Sequence, residues 1–343
     1  VQAVVPGDPA SSELLRRVRS LDDDERMPPS DLGPGLSQQE ITLLEQWIAA
    51  GAVYRRHWSL TPIRRPSTRS LPAASTVIDR FLLRKMHEQG LVPNPPAARE
   101  TLVRRLTLAL TGLPPSLVEL DEFLADRRPG AVEQLIERLL ASPRFGERWA
   151  RVWLDLARYA DSAGYAQDPA RTIWRYRDWV IDAYNANMAF DQFTIAQIAG
   201  DLLPQPTKHQ LLATAFHRNT MTNSEGGTDD EEFRHAAIVD RVNTTMQVWM
   251  GLTMGCAQCH DHKYDEITQQ EYYQLFALLN NTQDADRGDE APWLEELSEQ
   301  QRRQRAELTA RLSQLKDDEE KKSLQQQLNA IRGIRTPIMR ALP

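Results

Sequence analysis

Two cysteines are all that the 343 residues contain, so no disulfide framework can staple this chain. No run approaches the roughly 20 consecutive apolar residues of a membrane span, which excludes an integral membrane segment in this portion. Basic excess is missing as well. The 41 basic residues stand against 48 acidic ones, a net charge of −7, and this removes the electrostatic footprint of a nucleic-acid binder. Glycine is scarce at 16 while tryptophan reaches 8, a balance that favours packed helices over a turn-rich sandwich. What remains, 41% hydrophobic and 26% charged, is an ordinary globular composition, long enough for two domains or for one with appendages. The opening Val-Gln-Ala-Val-Val has neither an initiator methionine nor the pattern of a secretion signal, and reads as an internal start within a larger protein.

Residues 1–56 read as one short unit. A small helix over 11–20 is followed by an acidic turn and Arg26-Met27-Pro28-Pro29. A second helix starts at Ser37, a good N-cap, runs through Ile41, Leu44, Trp47 and Ile48, and stops at Gly51. Pro62, Pro66 and Pro72 amid arginines and serines make 57–75 an extended linker. From 76 to 284 nearly every segment repeats with helical period. Ile78, Phe81, Leu82 and Met86 share one face, and Leu102, Leu106 and Leu110 share another before Gly112-Leu113-Pro114-Pro115 breaks the helix. Val132, Leu135 and Leu139 follow, then Trp149, Trp153, Leu156 and Tyr159. Two further helices span 173–187 and 193–203, and Val239, Val242, Met246 and Trp249 form a last stripe. No alternating run is long enough for a strand, so the expected fold class is all-α, a multi-helix globular domain. Residues 285–343 form a charged arm in which Leu308, Leu312 and Leu315, then Leu324, Leu328 and Ile331, recur at helical spacing. This fits a helical hairpin or a coiled-coil arm offering a surface for self-association or a partner.

The chemistry concentrates in Cys256-Ala257-Gln258-Cys259-His260, the attachment pattern of c-type haem. Two thiols about one helical turn apart can form thioethers to the two vinyl groups of one porphyrin, and the adjacent histidine can then offer an imidazole nitrogen to the iron. Cys256, Cys259 and His260 are therefore the expected cofactor-binding residues, with His260 as the metal ligand. Other readings stay open. A CxxC redox pair wants a βαβ setting that this helical chain does not offer. Zinc could use Cys256, Cys259, His260 and His262, although their crowding would call for a distant ligand such as His235. A disulfide or a pair of buried thiols is the plainest alternative, leaving a structural or binding module.

Charge is dense around the motif: Asp261, Lys263 and Asp265 after it, Glu231, Glu232, Arg234, Asp240 and Arg241 before it, and Arg158 and Asp161 upstream. Each taken singly reads as a solvated face or a helix-end partner; the cluster could instead supply propionate partners or acid–base groups. Met221, Met250 and Met254, with His217 and His235, are the side chains considered for the sixth position of the iron. Methionine in a helix is more often core filler, and the expectation is an open or weakly held sixth site.

Longer runs carry a family resemblance. They are Leu102-Val103-Arg104-Arg105-Leu106, Gly146-Glu147-Arg148-Trp149, 153–161, 176–181, Ala199-Gly200-Asp201-Leu202-Leu203-Pro204, Asp240-Arg241-Val242-Asn243-Thr244-Thr245, and 255–265. Over about His57 to Asp284 the chain resembles the planctomycete-type domain of unknown function that follows a cytochrome c-like domain in very large exported proteins. The resemblance implies haem binding and export, to the periplasm or the cell surface, rather than any particular reaction or redox partner. Residues 1–56 resemble the C-terminal half of the preceding cytochrome c-like domain, with Met27 in the loop that would bring a methionine to iron. Because that segment has no CxxCH of its own, Met27 is an orphaned ligand at most.

Overall fold

Ser37 begins the best-defined helix of the N-terminal part because its hydroxyl accepts from the Glu40 N–H while the Glu40 carboxylate accepts from the Ser37 N–H at 2.7 Å. That helix is α2 (Gln38–Ala49), preceded by α1 (Glu13–Arg19) and followed by α3 (Val77–Glu88). Leu15 of α1 and Ile41 and Ile48 of α2 form a small core. The amphipathic stripe of α3 leaves Ile78 and Leu82 exposed. The computed structural model describes residues 2–54, 57–68, 72–74, 76–223, 225–284, 290–315 and 317–342. They fall into two compact units, Val1–Pro95 and Pro96–Pro343.

The second unit opens with α4 (Arg99–Thr111), α5 (Leu117–Ala125) and α6 (Ala131–Leu140) around Val103, Phe123, Leu135 and Leu139. Gly112 ends α4 in the left-handed conformation at φ 75°, where a side chain would be strained. The central core lies between α7 (Pro143–Leu156), α8 (Trp174–Asn185), α9 (Phe190–Ala199) and α10 (Lys208–Ala213). It is aromatic: Trp153, Tyr176, Trp179, Phe193 and Phe216 are buried together. Their polar atoms are satisfied internally, with Trp153 Nε1 and Tyr176 Oη both donating to Gln197 Oε1, at 2.9 and 2.7 Å.

Two more helices, α11 (Asp230–Thr245) and α12 (Gln269–Asn280), pack around Ile238, Val242, Tyr272 and Leu279. The chain then forms a helical hairpin, α13 (Glu299–Gln314) and α14 (Asp318–Ala330), with Leu308 and Leu324 buried. The fold is mostly all-α, with fourteen α-helices among the described residues. One feature departs from the expectation that strands are absent. At the base of the hairpin β1 (Trp293–Glu296) pairs antiparallel with β2 (Ile334–Pro337), Trp293 opposite Pro337. Four residues are too few for alternation to register in a sequence. The ribbon also draws the arm inward, since Leu294 and Ile338 belong to the aromatic core.

Candidate functional site

The CxxCH segment is held from below by its small and apolar residues. After α11 the chain widens into one π turn, Met246–Met250, and leaves it at Gly251, left-handed at φ 66°. Met254, Ala257 and Ile267 are buried against Val242 and Tyr272. Ala257 thus pins a 3₁₀ turn, Gly255–Gln258, to the core, while Cys256 and Cys259 on either side are exposed and free. The carbonyl of Gln258 accepts from Tyr273 Oη at 3.1 Å and Gln269 Nε2 at 3.2 Å, tying the turn to α12. Asp261 Oδ1 accepts the Gln269 N–H at 2.8 Å, at the start of the same helix.

The two histidines of the segment differ in use. His260 is exposed, and its Nδ1 lies 2.8 Å from the Asp261 carbonyl oxygen. A carbonyl only accepts, so Nδ1 is the donor, and in the neutral ring Nε2 is then the nitrogen with the lone pair that a metal-ligating imidazole requires. The ring of His262 is nearly buried and its Nδ1 accepts the Asp265 N–H at 2.8 Å, while the His262 backbone N–H donates to Ile267 O at 2.8 Å. His262 is thereby committed to shaping the loop.

Two buried polar atoms beside the motif have no hydrogen-bond partner: Asn243 Oδ1, whose side chain lies against Gly255, and Tyr272 Oη, which burial and the nearby Tyr273 and Cys259 hold above its ordinary pKa. Free thiols on one turn, an imidazole with an available nitrogen and orphaned polar atoms next to them fit a covalently attached haem. Zinc finds no such support. Among the described residues no three His, Cys, Asp or Glu side chains gather as a metal site.

A family model described as PSCyt2, protein of unknown function (DUF1549), matches residues 77–284, more than half of the chain. The chain belongs to this family. A second model, PSCyt1, Planctomycete cytochrome C, matches residues 2–31 alone, and points to a haem-binding, cytochrome-like role. No curated protein and no solved structure matches the chain. Among the described residues no helix is long and apolar enough to cross a membrane.

Much of the charge around this PSCyt2 motif is internal scaffolding. Arg234 bridges α11 to the end of α12, donating to Asn280 O and Asn280 Oδ1 at 2.7 Å and to Asp284 O at 2.8 Å. Arg158, in the left-handed region at φ 60°, pairs with Asp240 at 2.7 Å. Arg241 departs most from its reading as a surface charge. It pairs with Asp284 at 2.6 Å with both side chains about 1% exposed. The neighbouring run Thr214–Asn223, apart from Met221, is buried although rich in polar residues, and Arg218 in it donates to Glu290 O and Ile338 O. An absence of helical period over those ten residues, combined with the lack of any glycine or proline among them, was the available signal.

The side chains weighed for the sixth position lie apart. Met254 is buried under the motif and His235 rests its ring 5.0 Å from that of Phe276. Met221 lies against Gly164, and Met250 is exposed. His217 is fully buried; burial and the nearby Arg241 and Arg158 push its pKa down to about 3. Met27, in the other unit, is partly exposed on the loop after α1.

Proposed function

We propose that this chain is a c-type haem protein of an exported electron-transfer or oxidoreductase system, in which Cys256 and Cys259 would be the covalent anchors and His260 would hold the iron. The observation that carries the reading is the His260 ring held through Nδ1 to the Asp261 carbonyl, beside two free, exposed thiols. When bound, the haem would supply one-electron transfer. The protein's part is positional. Ala257 and Met254 fix the turn to the core, the Gln258 carbonyl is clamped by α12, and the Asp261 carbonyl orients the His260 ring through Nδ1. Met254 and His217 are enclosed in the interior, which favours an open or weakly held sixth site. Export to the periplasm or cell surface follows from the same reading, because thioether formation in c-type cytochromes takes place outside the cytoplasm.

The test is colour after extraction. Chain matured with a c-type assembly system should retain a Soret band through acid–acetone treatment. Cys256→Ala with Cys259→Ala should lose it, and His260→Ala should keep a covalently held but altered spectrum. A colourless wild-type chain, or a double cysteine variant that stays red after denaturation, would overturn the assignment.

A further inference from the structure

Where α7, α8 and α9 meet there is a cleft of about 450 Å³ that the haem reading does not use. Six aromatic rings line it: Phe145, Trp149 and Trp153 from α7, Tyr184 from α8, and Phe190 and Phe193 from α9. The α7 rings recur every fourth residue and so share one helical stripe. Around Phe193 the walls meet steeply, Trp153 at 4.7 Å and 74°, Tyr184 at 6.1 Å and 73°. The indole N–H of Trp153 is engaged by Gln197 and Tyr176, so this ring turns only carbon and π surface to the cleft. Trp149 and Phe190, at 39% and 67% exposure, leave the opening accessible.

Charge is what the lining lacks: among the described residues no aspartate, glutamate, lysine, arginine or histidine faces the cleft. Its hydrogen-bonding groups are the Tyr184 hydroxyl and the Asn187 amide. Asn187 sits in the left-handed region at φ 47°, a conformation found at ligand clamps as well as in turns. An anion would lose its water without compensation here, and a cation would meet π faces but no carboxylate to neutralise it. The electron-rich faces of tryptophan, tyrosine and phenylalanine complement an electron-poor planar ring, and a phenol with a carboxamide can donate to carbonyl oxygens.

We propose that this cleft binds a neutral quinone. The proposal goes beyond the haem assignment and does not need it, since no lining residue belongs to the CxxCH segment. Trp153 also lies 5.4 Å from Trp249, in the π turn that leads toward Cys256, so packed rings join the cleft to that turn. That continuity gains a redox meaning only if the haem reading holds.

Duroquinone is a suitable probe, because its ring has no free position at which the thiols of Cys256 and Cys259 could add. Calorimetric titration of the full chain should show saturable single-site binding. Phe190→Ala and Trp149→Ala should each weaken it roughly three- to tenfold. Tyr184→Phe combined with Asn187→Ala should weaken it about fivefold. The saturated cyclohexanedione, which keeps the carbonyls and loses the plane, should bind at least about tenfold more weakly, as ring stacking is lost. Circular dichroism confirms that each variant is folded. Absence of saturable binding, indifference to both ring deletions, or equal affinity for the dione would overturn the proposal. Binding retained by the Cys256→Ala, Cys259→Ala chain separates its outcome from that of the haem assignment.

Discussion

Removing the Asp284 carboxylate should destabilise the second unit more than other single changes near the motif. Asp284 and Arg241 meet at 2.6 Å with both side chains about 1% exposed. Thr282 Oγ1 donates to the other carboxylate oxygen at 2.6 Å, and Arg241 Nε donates to the His217 carbonyl at 2.8 Å. Burial alone would raise the pKa of Asp284. Arg241, Arg218 and the Thr282 hydroxyl outweigh that and hold it well below the carboxylate range. Asp284→Ala leaves the buried Arg241 guanidinium without its counter-charge and takes one of two nearby carboxylates from Arg218, and breaking a buried pair in this way costs about 3–5 kcal/mol. In a unit of this size that is a fall in Tm of roughly 6–20 °C.

The companion variant sets the argument at risk. Arg241→Met with Asp284→Leu removes both charges, which is close to neutral by itself, but it leaves the His217 carbonyl unpaired at about 1–3 kcal/mol. The double variant should therefore be more stable than Asp284→Ala. Acid should show the same pair. A carboxylate whose folded pKa is depressed stabilises fully above its ordinary value near 3.8, and that contribution is lost as pH falls below it. Asp284→Ala should lack this part of the acid limb. Urea unfolding followed by circular dichroism measures all three. A single variant within about 1 kcal/mol of wild type, or a double variant no better than the single, would refute the reasoning.

His217 adds a second acid-sensitive term, because its pKa falls from 6.5 to about 3 on folding. Its contribution is complete above pH 6.5 and declines on acidification by up to about 1.4 kcal/mol per pH unit; His217→Leu should flatten that slope, and an unchanged slope in a urea series would exclude the residue as its source. Gly146→Ala should destabilise despite improving helix propensity. The added Cβ would lie 2.5 Å from the Ile181 carbonyl oxygen of α8, and the overpacking cost of about 1–3 kcal/mol exceeds the roughly 1 kcal/mol gain in propensity; a raised Tm would show that the two helices separate easily. Carbon monoxide added to reduced, haem-loaded protein should shift the spectrum promptly if the sixth site is open, whereas a low-spin spectrum indifferent to carbon monoxide would leave electron transfer alone.

Local signals gave the helices and the motif; pairings across the chain stayed hidden. Ser37 marked the start of α2, and Gly112 marked the end of α4, because capping is a matter of residues close in the chain. The segments expected at 173–187 and 193–203 were found at Trp174–Asn185 and Phe190–Ala199, the second closing in a 3₁₀ turn whose period differs from that of an α-helix. The ribbon Trp293–Glu296 and Ile334–Pro337 joins strands on either side of a helical hairpin, so neither strand announces the other.

The same distinction explains which candidate residues could be read. Thioether attachment would need two thiols about one turn apart, with the proposed ligand next to them, so Cys256, Cys259 and His260 are legible as neighbours. Arg241 lies between buried Ile238 and Val242 on a face that counts as apolar only when its partner Asp284 is known. A charge on such a face reads as an interruption of the stripe, when physically it completes it. The aromatic cleft is a further step removed. Phe145, Trp149 and Trp153 present a regular stripe, and a stripe of that kind says core. What turns part of it into a cleft is the placement of Phe190 and Tyr184 on two other helices, with Asn187 held in a left-handed turn between them. Covalent chemistry is thus written in adjacent residues, whereas a shape for binding exists only once helices distant in the chain have packed.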